Sequence, residues 1–307
     1  MAPAAGGSGR DHLVFAHANG FPGPVYRELF DAWSPRFRVS AIERFGHGAD
    51  YPVGPRWPGL ARQLVDHVRT EVAPGDRLWL VGHSLGGYVS TLAAAALGAR
   101  VAGVVLLDSP LIDGFSAHLV RYGRQLGFDR YMMPIQQTRR RRRAWPDVEA
   151  VHAHFAARAS FARWEPRTLR HYAEHGTRAL EDGSRVLAFD REIELAIYRS
   201  LPTMTVVSAA RSAPAPIGFI GGTASREVRH VGLRATRTAT GGRIAWIEGS
   251  HLFPMERPRE TAAAVQSMIA GMGARHAAAV RRPILMRAGE DRVATREHLP
   301  AAAHPRS

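Results

Sequence analysis

Over the first third of the chain, short continuous apolar runs alternate with stretches of helical spacing. His12-Leu13-Val14-Phe15-Ala16-His17 has the make-up of a short strand and gives way to the turn-rich Ala18-Asn19-Gly20-Phe21-Pro22-Gly23-Pro24. Val25 to Trp33 then carries helical spacing, with Leu29 and Phe30 on the apolar side. Phe37 to Ile42 reads as a second strand and ends in the loop Arg44-Phe45-Gly46-His47-Gly48. Pro58 opens a helix whose apolar positions are Leu60, Leu64, Val65 and Val68, and Pro74-Gly75 stops it. Leu78 to Val81 and Val101 to Leu107 are unbroken apolar runs of the kind that suit strands buried on both faces of a parallel sheet. Between them lies an Ala-rich helix former, Tyr88 to Leu97.

The rhythm changes between residues 113 and 200, where polar, aromatic and Arg-rich helical segments replace buried strands. Strand patterns return at Pro216 to Gly221 and Arg243 to Ile247, and Pro258 starts a last helix through Ala264, Val265, Met268 and Ile269. The expected fold is therefore α/β: a mostly parallel wound sheet flanked by helices, with an inserted helical cap. The expected organisation is a flexible lead over 1–10, a core formed by 11–112 and 201–272, a cap over 113–200, and a poorly ordered Arg/Ala/Pro-rich tail over 273–307.

Composition narrows the picture modestly. A chain of 307 residues with 45% apolar content can bury a substantial core. It has no cysteine, which rules out disulfides and thiolate metal sites. The formal charge is +14 and every basic residue is arginine, but the arginines are spread along the chain, so nucleic acid is discounted as a partner. The opening residues lack the apolar stretch of a signal peptide and no run approaches a membrane span, so a cytoplasmic protein acting on a small molecule is expected. Oligomeric state is not legible.

The chemistry concentrates at Gly82-His83-Ser84-Leu85-Gly86, where the apolar strand pattern turns directly into the Ala-rich helix. A serine on such a corner stands exposed at a helix N-terminus, where free N–H groups favour developing negative charge. Its hydroxyl needs a base, an orienter for that base and an oxyanion site. His251 is the base candidate because it follows a late strand on a short loop.

With these residues in place, the chain resembles the α/β-hydrolase superfamily over roughly residues 12–272. Gly82-His83-Ser84-Leu85-Gly86 is similar to its nucleophile elbow, and His17-Ala18-Asn19-Gly20-Phe21-Pro22 to its oxyanion loop, slightly lengthened. Gly46-His47-Gly48 and Gly249-Ser250-His251, with Glu256-Arg257-Pro258 following, resemble further family loops in family order. One departure stands out. The register that carries the acid in most members reads Gly222-Thr223-Ala224-Ser225, with serine in its place. Some relatives carry the acid after the strand that follows the nucleophile helix, which implies Asp108 here, with Glu248 and Glu227 as the alternatives.

The resemblance further implies an oxyanion hole from the Leu85 N–H and a partner between Asn19 and Phe21, with Phe21 favoured. His17 and His47 are expected to brace these loops. Neither cofactor nor metal is expected; His152-x-His154 lacks a third ligand at useful spacing. Arg139 to Arg143 is expected to be a solvated stretch on or beside a cap helix, and Asp291 lies after the histidine, out of family order. The expected activity is hydrolysis of a small to medium carboxylic ester through an acyl-enzyme. Related serine chemistry on a C–C, amide or lactone bond, or a non-catalytic hydrolase-like binding module, are the alternatives.

Overall fold

The structure, a computed structural model, describes residues 11–114 and 135–281, the last seven as backbone. Among these residues nine strands run in chain order as β1 (Asp11–Ala16), β2 (Arg38–Ala41), β3 (Arg77–His83), β4 (Val101–Leu107), β5 (Ala144–Trp145), β6 (Thr177–Ala179), β7 (Arg185–Leu187), β8 (Ile217–Gly222) and β9 (Ile244–Ile247). Six of them form one sheet in the order β2-β1-β3-β4-β8-β9, and every pairing in it is parallel. The order reverses between β1 and β3. At such a reversal the loops leave the sheet in opposite directions and open a crevice at its C-terminal edge. The loop after β1 holds Asn19 and the corner after β3 holds Ser84.

Alternation along each strand divides the interior in two. Leu78 and Leu80 of β3, with Val14 and Ala16 of β1, face one core, while Trp79, Val81, Leu13 and Phe15 face the other. The first core is covered by α2 (Pro58–Glu71) and α3 (Leu85–Leu97), and the second by α1 (Arg27–Trp33) with the long C-terminal helix. Burial on both faces is why these strands read as unbroken apolar runs.

Between β4 and β8 lie α4 (Ile135–Arg140), α5 (Val148–Ala156), α6 (Pro166–His175), α7 (Arg191–Arg199) and α8 (Thr203–Ser212). The insertion is not purely helical. Strands β5, β7 and β6 make a small antiparallel sheet within it, and at two or three residues each they are too short to leave a periodic signature. Helix α8 packs against α3. After β8 come α9 (Arg226–Val231), α10 (Arg234–Thr240), then, beyond β9, α11 (Phe253–Glu256) and α12 (Pro258–Arg281).

Helix α12 continues nine residues into the stretch expected to be poorly ordered, because Ala277-Ala278-Ala279 favours helix without needing an apolar face. The expectations for residues 1–10, for the first part of the insertion and for Asp291 lie outside the described residues. Among those described, no helix is long and apolar enough to cross a membrane.

Candidate active site

Ser84 sits between β3 and α3 with φ 53° and ψ −112°, a conformation that a side chain adopts only under constraint. The constraint is close packing of the corner. A Cβ on Gly82 would lie 2.2 Å from the Gly86 backbone, and one on Gly86 would lie 1.9 Å from the Ala16 carbonyl oxygen. Only glycine lets β1, β3 and α3 meet this closely. The Ser109 hydroxyl adds a strap by donating to the Ser84 carbonyl at 2.9 Å.

His251 arrives on the loop after β9. Its Nε2 is 3.0 Å from Ser84 Oγ and its Nδ1 is 2.7 Å from Asp108 Oδ2. Glu256 fixes that loop, accepting from the Ser250 N–H at 3.0 Å and from the Ser250 hydroxyl at 2.5 Å. Asp108 is 1% exposed and takes φ 44° at the end of β4. The Gly222 N–H donates to its Oδ1 at 2.8 Å, and the Ser225 hydroxyl to its Oδ2 at 2.5 Å. The serine in the usual acid register thus holds the carboxylate that reaches in from the neighbouring strand.

Of the two alternative acids, Glu227 lies 3.8 Å from His251 Nδ1, whereas Glu248 is turned outward and pairs with Arg257 at 3.8 Å. Burial by itself depresses the His251 imidazole. The hydrogen bond His251 donates to Asp108 and the charges of Glu227 and Asp108 outweigh it and raise the group above its ordinary value.

The loop after β1 closes as a turn: the Phe21 N–H donates to the Ala18 carbonyl at 3.1 Å and Gly20 takes φ 79°. The Phe21 N–H is thereby engaged within the turn. Of the two residues named as oxyanion donors in this loop, Asn19 keeps its N–H unengaged among the described residues. Leu85 opens α3, where a helix leaves its N–H groups without internal acceptors. His17 and His47 are both engaged in loop contacts. His17 Nε2 accepts from the Phe45 N–H at 3.0 Å, and His47 Nε2 accepts from the Asp190 N–H of the insertion at 2.9 Å. Burial pushes His17 down to about 4.

Other residues around the site went unnoticed in the sequence. His83 is fully buried; its Nδ1 accepts from the Tyr26 hydroxyl at 2.8 Å and its Nε2 donates to the His251 carbonyl at 2.9 Å. The Ala18 N–H in turn donates to Tyr26 at 3.2 Å, so one line of hydrogen bonds joins the loop after β1 to the His251 loop. Glu194 of α7 is 1% exposed, and its carboxylate lies 3.1 Å from where a Cβ on Gly20 would stand. Arg141 clasps it through two bonds of 2.9 and 2.8 Å and Thr138 adds a third at 3.0 Å. The arginine run is therefore not wholly solvated: its middle member is 22% exposed and turned inward because a buried carboxylate waits there. His154 packs against Trp145 and accepts from Arg158 at 3.2 Å. Phe21 meets Trp164 and Tyr172 of the insertion with ring centroids 5.8 and 5.6 Å apart, putting an aromatic wall beside the loop.

The profile of the alpha/beta hydrolase family matches residues 13–264. The chain is 28% identical to a 2-(acetamidomethylene)succinate hydrolase of Mesorhizobium japonicum, over 73% of its own length and 74% of that enzyme's. It is 33% identical to a pimeloyl-[acyl-carrier protein] methyl ester esterase of Edwardsiella ictaluri, but over only 34% of this chain and 38% of the esterase. The crystal structure of an E-2-(acetamidomethylene)succinate hydrolase superposes with a TM-score of 0.65 at 24% identity, covering 86% of this chain and 92% of that one. From the parallel sheet, the glycine-framed corner after β3 and the extent of this match, the chain belongs to the alpha/beta hydrolase family.

Proposed function

We propose that the protein is a serine hydrolase that cleaves a small to medium carboxylic ester through an acyl-enzyme, with 113–200 acting as the cap over its site. The observation that supports this reading most is the unbroken line from Ser84 Oγ through His251 to Asp108, with spacings of 3.0 and 2.7 Å. A hydroxyl gives up its proton readily only when a neutral imidazole accepts it in line and a carboxylate steadies the resulting cation.

Ser84 Oγ attacks the ester carbonyl as its proton passes to His251 Nε2. Asp108 holds the Nδ1–H tautomer and stabilises the imidazolium. The N–H groups of Leu85 and Asn19 receive the oxyanion, and the alcohol departs with the proton returned by His251. Water, deprotonated by the same imidazole, then attacks the acyl carbon and releases the acid and Ser84.

The direct test is hydrolysis of p-nitrophenyl esters of increasing chain length by wild type and Ser84→Ala, alongside labelling with a fluorophosphonate. Turnover and labelling in wild type, both lost in the variant, are expected. Labelling of Ser84 without ester turnover would move the chemistry to another acyl or C–C bond. Neither turnover nor labelling would favour the binding module.

A further inference from the structure

Helix α6 carries the sequence His171-Tyr172-Ala173-Glu174-His175. Residues at i, i+3 and i+4 share one helix face, so both histidines and the glutamate project together. One ligand atom from each of the three lies within 4.8 Å of the others. The imidazoles are stacked with centroids 6.1 Å apart, and His171 Nδ1 is 3.9 Å from Glu174 Oε2.

Two further observations point to a ligand. His171 Nδ1 is buried and has no hydrogen-bond partner. A buried imidazole nitrogen without a partner is costly unless something occupies it. The other ring nitrogen, Nε2, is 3.2 Å from Glu28 Oε1 of α1, and a carboxylate there requires Nε2 to hold the proton. The Nδ1 lone pair is thereby turned toward Glu174 and His175. A ligand histidine whose far N–H is held by a carboxylate is the usual outer arrangement of protein metal sites.

The surrounding charges leave the cluster open. Arg170 takes Glu174 Oε1 at 2.7 Å and Arg167 pairs with Glu28 at 3.2 Å, so Glu174 Oε2 remains free to coordinate.

We propose that His171 Nδ1, Glu174 Oε2 and His175 bind a divalent transition metal of the zinc class. Two imidazoles and a carboxylate are a zinc donor set, and tetrahedral coordination would bring the ligand atoms to about 3.4 Å from one another. His175 is on the exposed side, where water fills the fourth position. The site is a clamp rather than a reaction centre. Metal on Nδ1 makes the Nε2–H a stronger donor to Glu28, tightening α6 on α1. Tyr172, between the ligands, carries that restraint to Phe21 and the loop after β1.

A second cluster, Asp108, Glu227 and His251, also gathers metal-ligating groups, but there Nδ1 is already taken by Asp108. The test must separate the two. Zinc is titrated calorimetrically into the metal-stripped full chain, as wild type, His175→Asn, Glu28→Gln and Glu227→Gln, with thermal melts of each in parallel. The expected result is one equivalent of zinc bound by wild type and by Glu227→Gln with equal affinity. His175→Asn should lose at least about tenfold, as should Glu28→Gln, which removes only the negative charge of the outer partner. Zinc should raise the melting temperature of wild type but not of His175→Asn. Equal affinity in wild type and His175→Asn, loss confined to Glu227→Gln, or no binding by wild type at millimolar zinc would each overturn the proposal.

Discussion

Asp108 sits on an awkward backbone. Its φ of 44° belongs to the left-handed region, a strain of roughly 1–3 kcal/mol for a non-glycine residue. What holds it there is three donors on one carboxylate: the Gly222 N–H, the Ser225 hydroxyl and His251 Nδ1–H. Asp108→Asn keeps the shape but presents an amide that cannot stabilise an imidazolium, so ester turnover should fall by about 10⁴-fold with the fold intact. The pH profile gives a finer reading. His251 must be neutral to accept a proton, and Asp108 and Glu227 together raise its value, so kcat/KM should climb with pH through a limb above the ordinary imidazole pKa. Removing the Glu227 charge, 3.8 Å away, should move that limb toward lower pH in Glu227→Gln while leaving the plateau nearly unchanged. An unmoved limb would mean that solvent screens Glu227. That Ser84, His251 and Asp108 meet was legible because each follows a strand end in a recognisable order. The role of Ser225 was not, since only the tertiary structure brings β8 against β4.

At the level of elements, the insertion reaches the site through α7. Glu194 leans on Gly20, Asn19 Nδ2 donates to the Glu194 carbonyl at 3.0 Å, and Arg141 neutralises the carboxylate. Breaking one side of a buried pair leaves a stranded charge. Arg141→Met should therefore destabilise the protein by about 3–5 kcal/mol in urea melts. Arg141→Met with Glu194→Leu should recover most of that loss, since apolar replacement of both partners is often neutral. If the pair also fixes the loop after β1, the double variant regains stability but not turnover. Recovery of both together would make the pair structural only. This link could not be read from the sequence. Five consecutive arginines look alike, and only the inward face of one turn distinguishes Arg141. The core strands were readable for the opposite reason, because burial on both faces writes itself into every position. The short strands β5, β6 and β7 bury too little to do so.

Taken as a whole, the molecule keeps many histidines out of water, and this sets how it responds to acid. Among the described residues, His12, His17, His47, His67, His83 and His154 are held below the ordinary imidazole value, burial being the first cause in each. His251 shifts upward. In the unfolded chain each takes a proton near pH 6.5, whereas native His17 refuses one until about 4. Between those values the unfolded state binds more protons, so stability falls as pH falls. Each histidine that stays neutral through the window contributes a slope approaching about 1.4 kcal/mol per pH unit. His251 acts in the opposite sense, since its proton is bound more tightly in the native state, but it is one group against several. The net charge of +14, already positive before these groups titrate, adds self-repulsion in the same direction. Urea midpoints measured from pH 7 down to pH 4.5 should therefore decline steeply below pH 6.5. His17→Gln, which cannot titrate but can still accept from the Phe45 N–H, should be less stable at pH 7 yet lose less on acidification. A parallel decline in the two proteins would place the acid sensitivity in the other buried imidazoles, with His83, beneath the Ser84 corner, the next to replace.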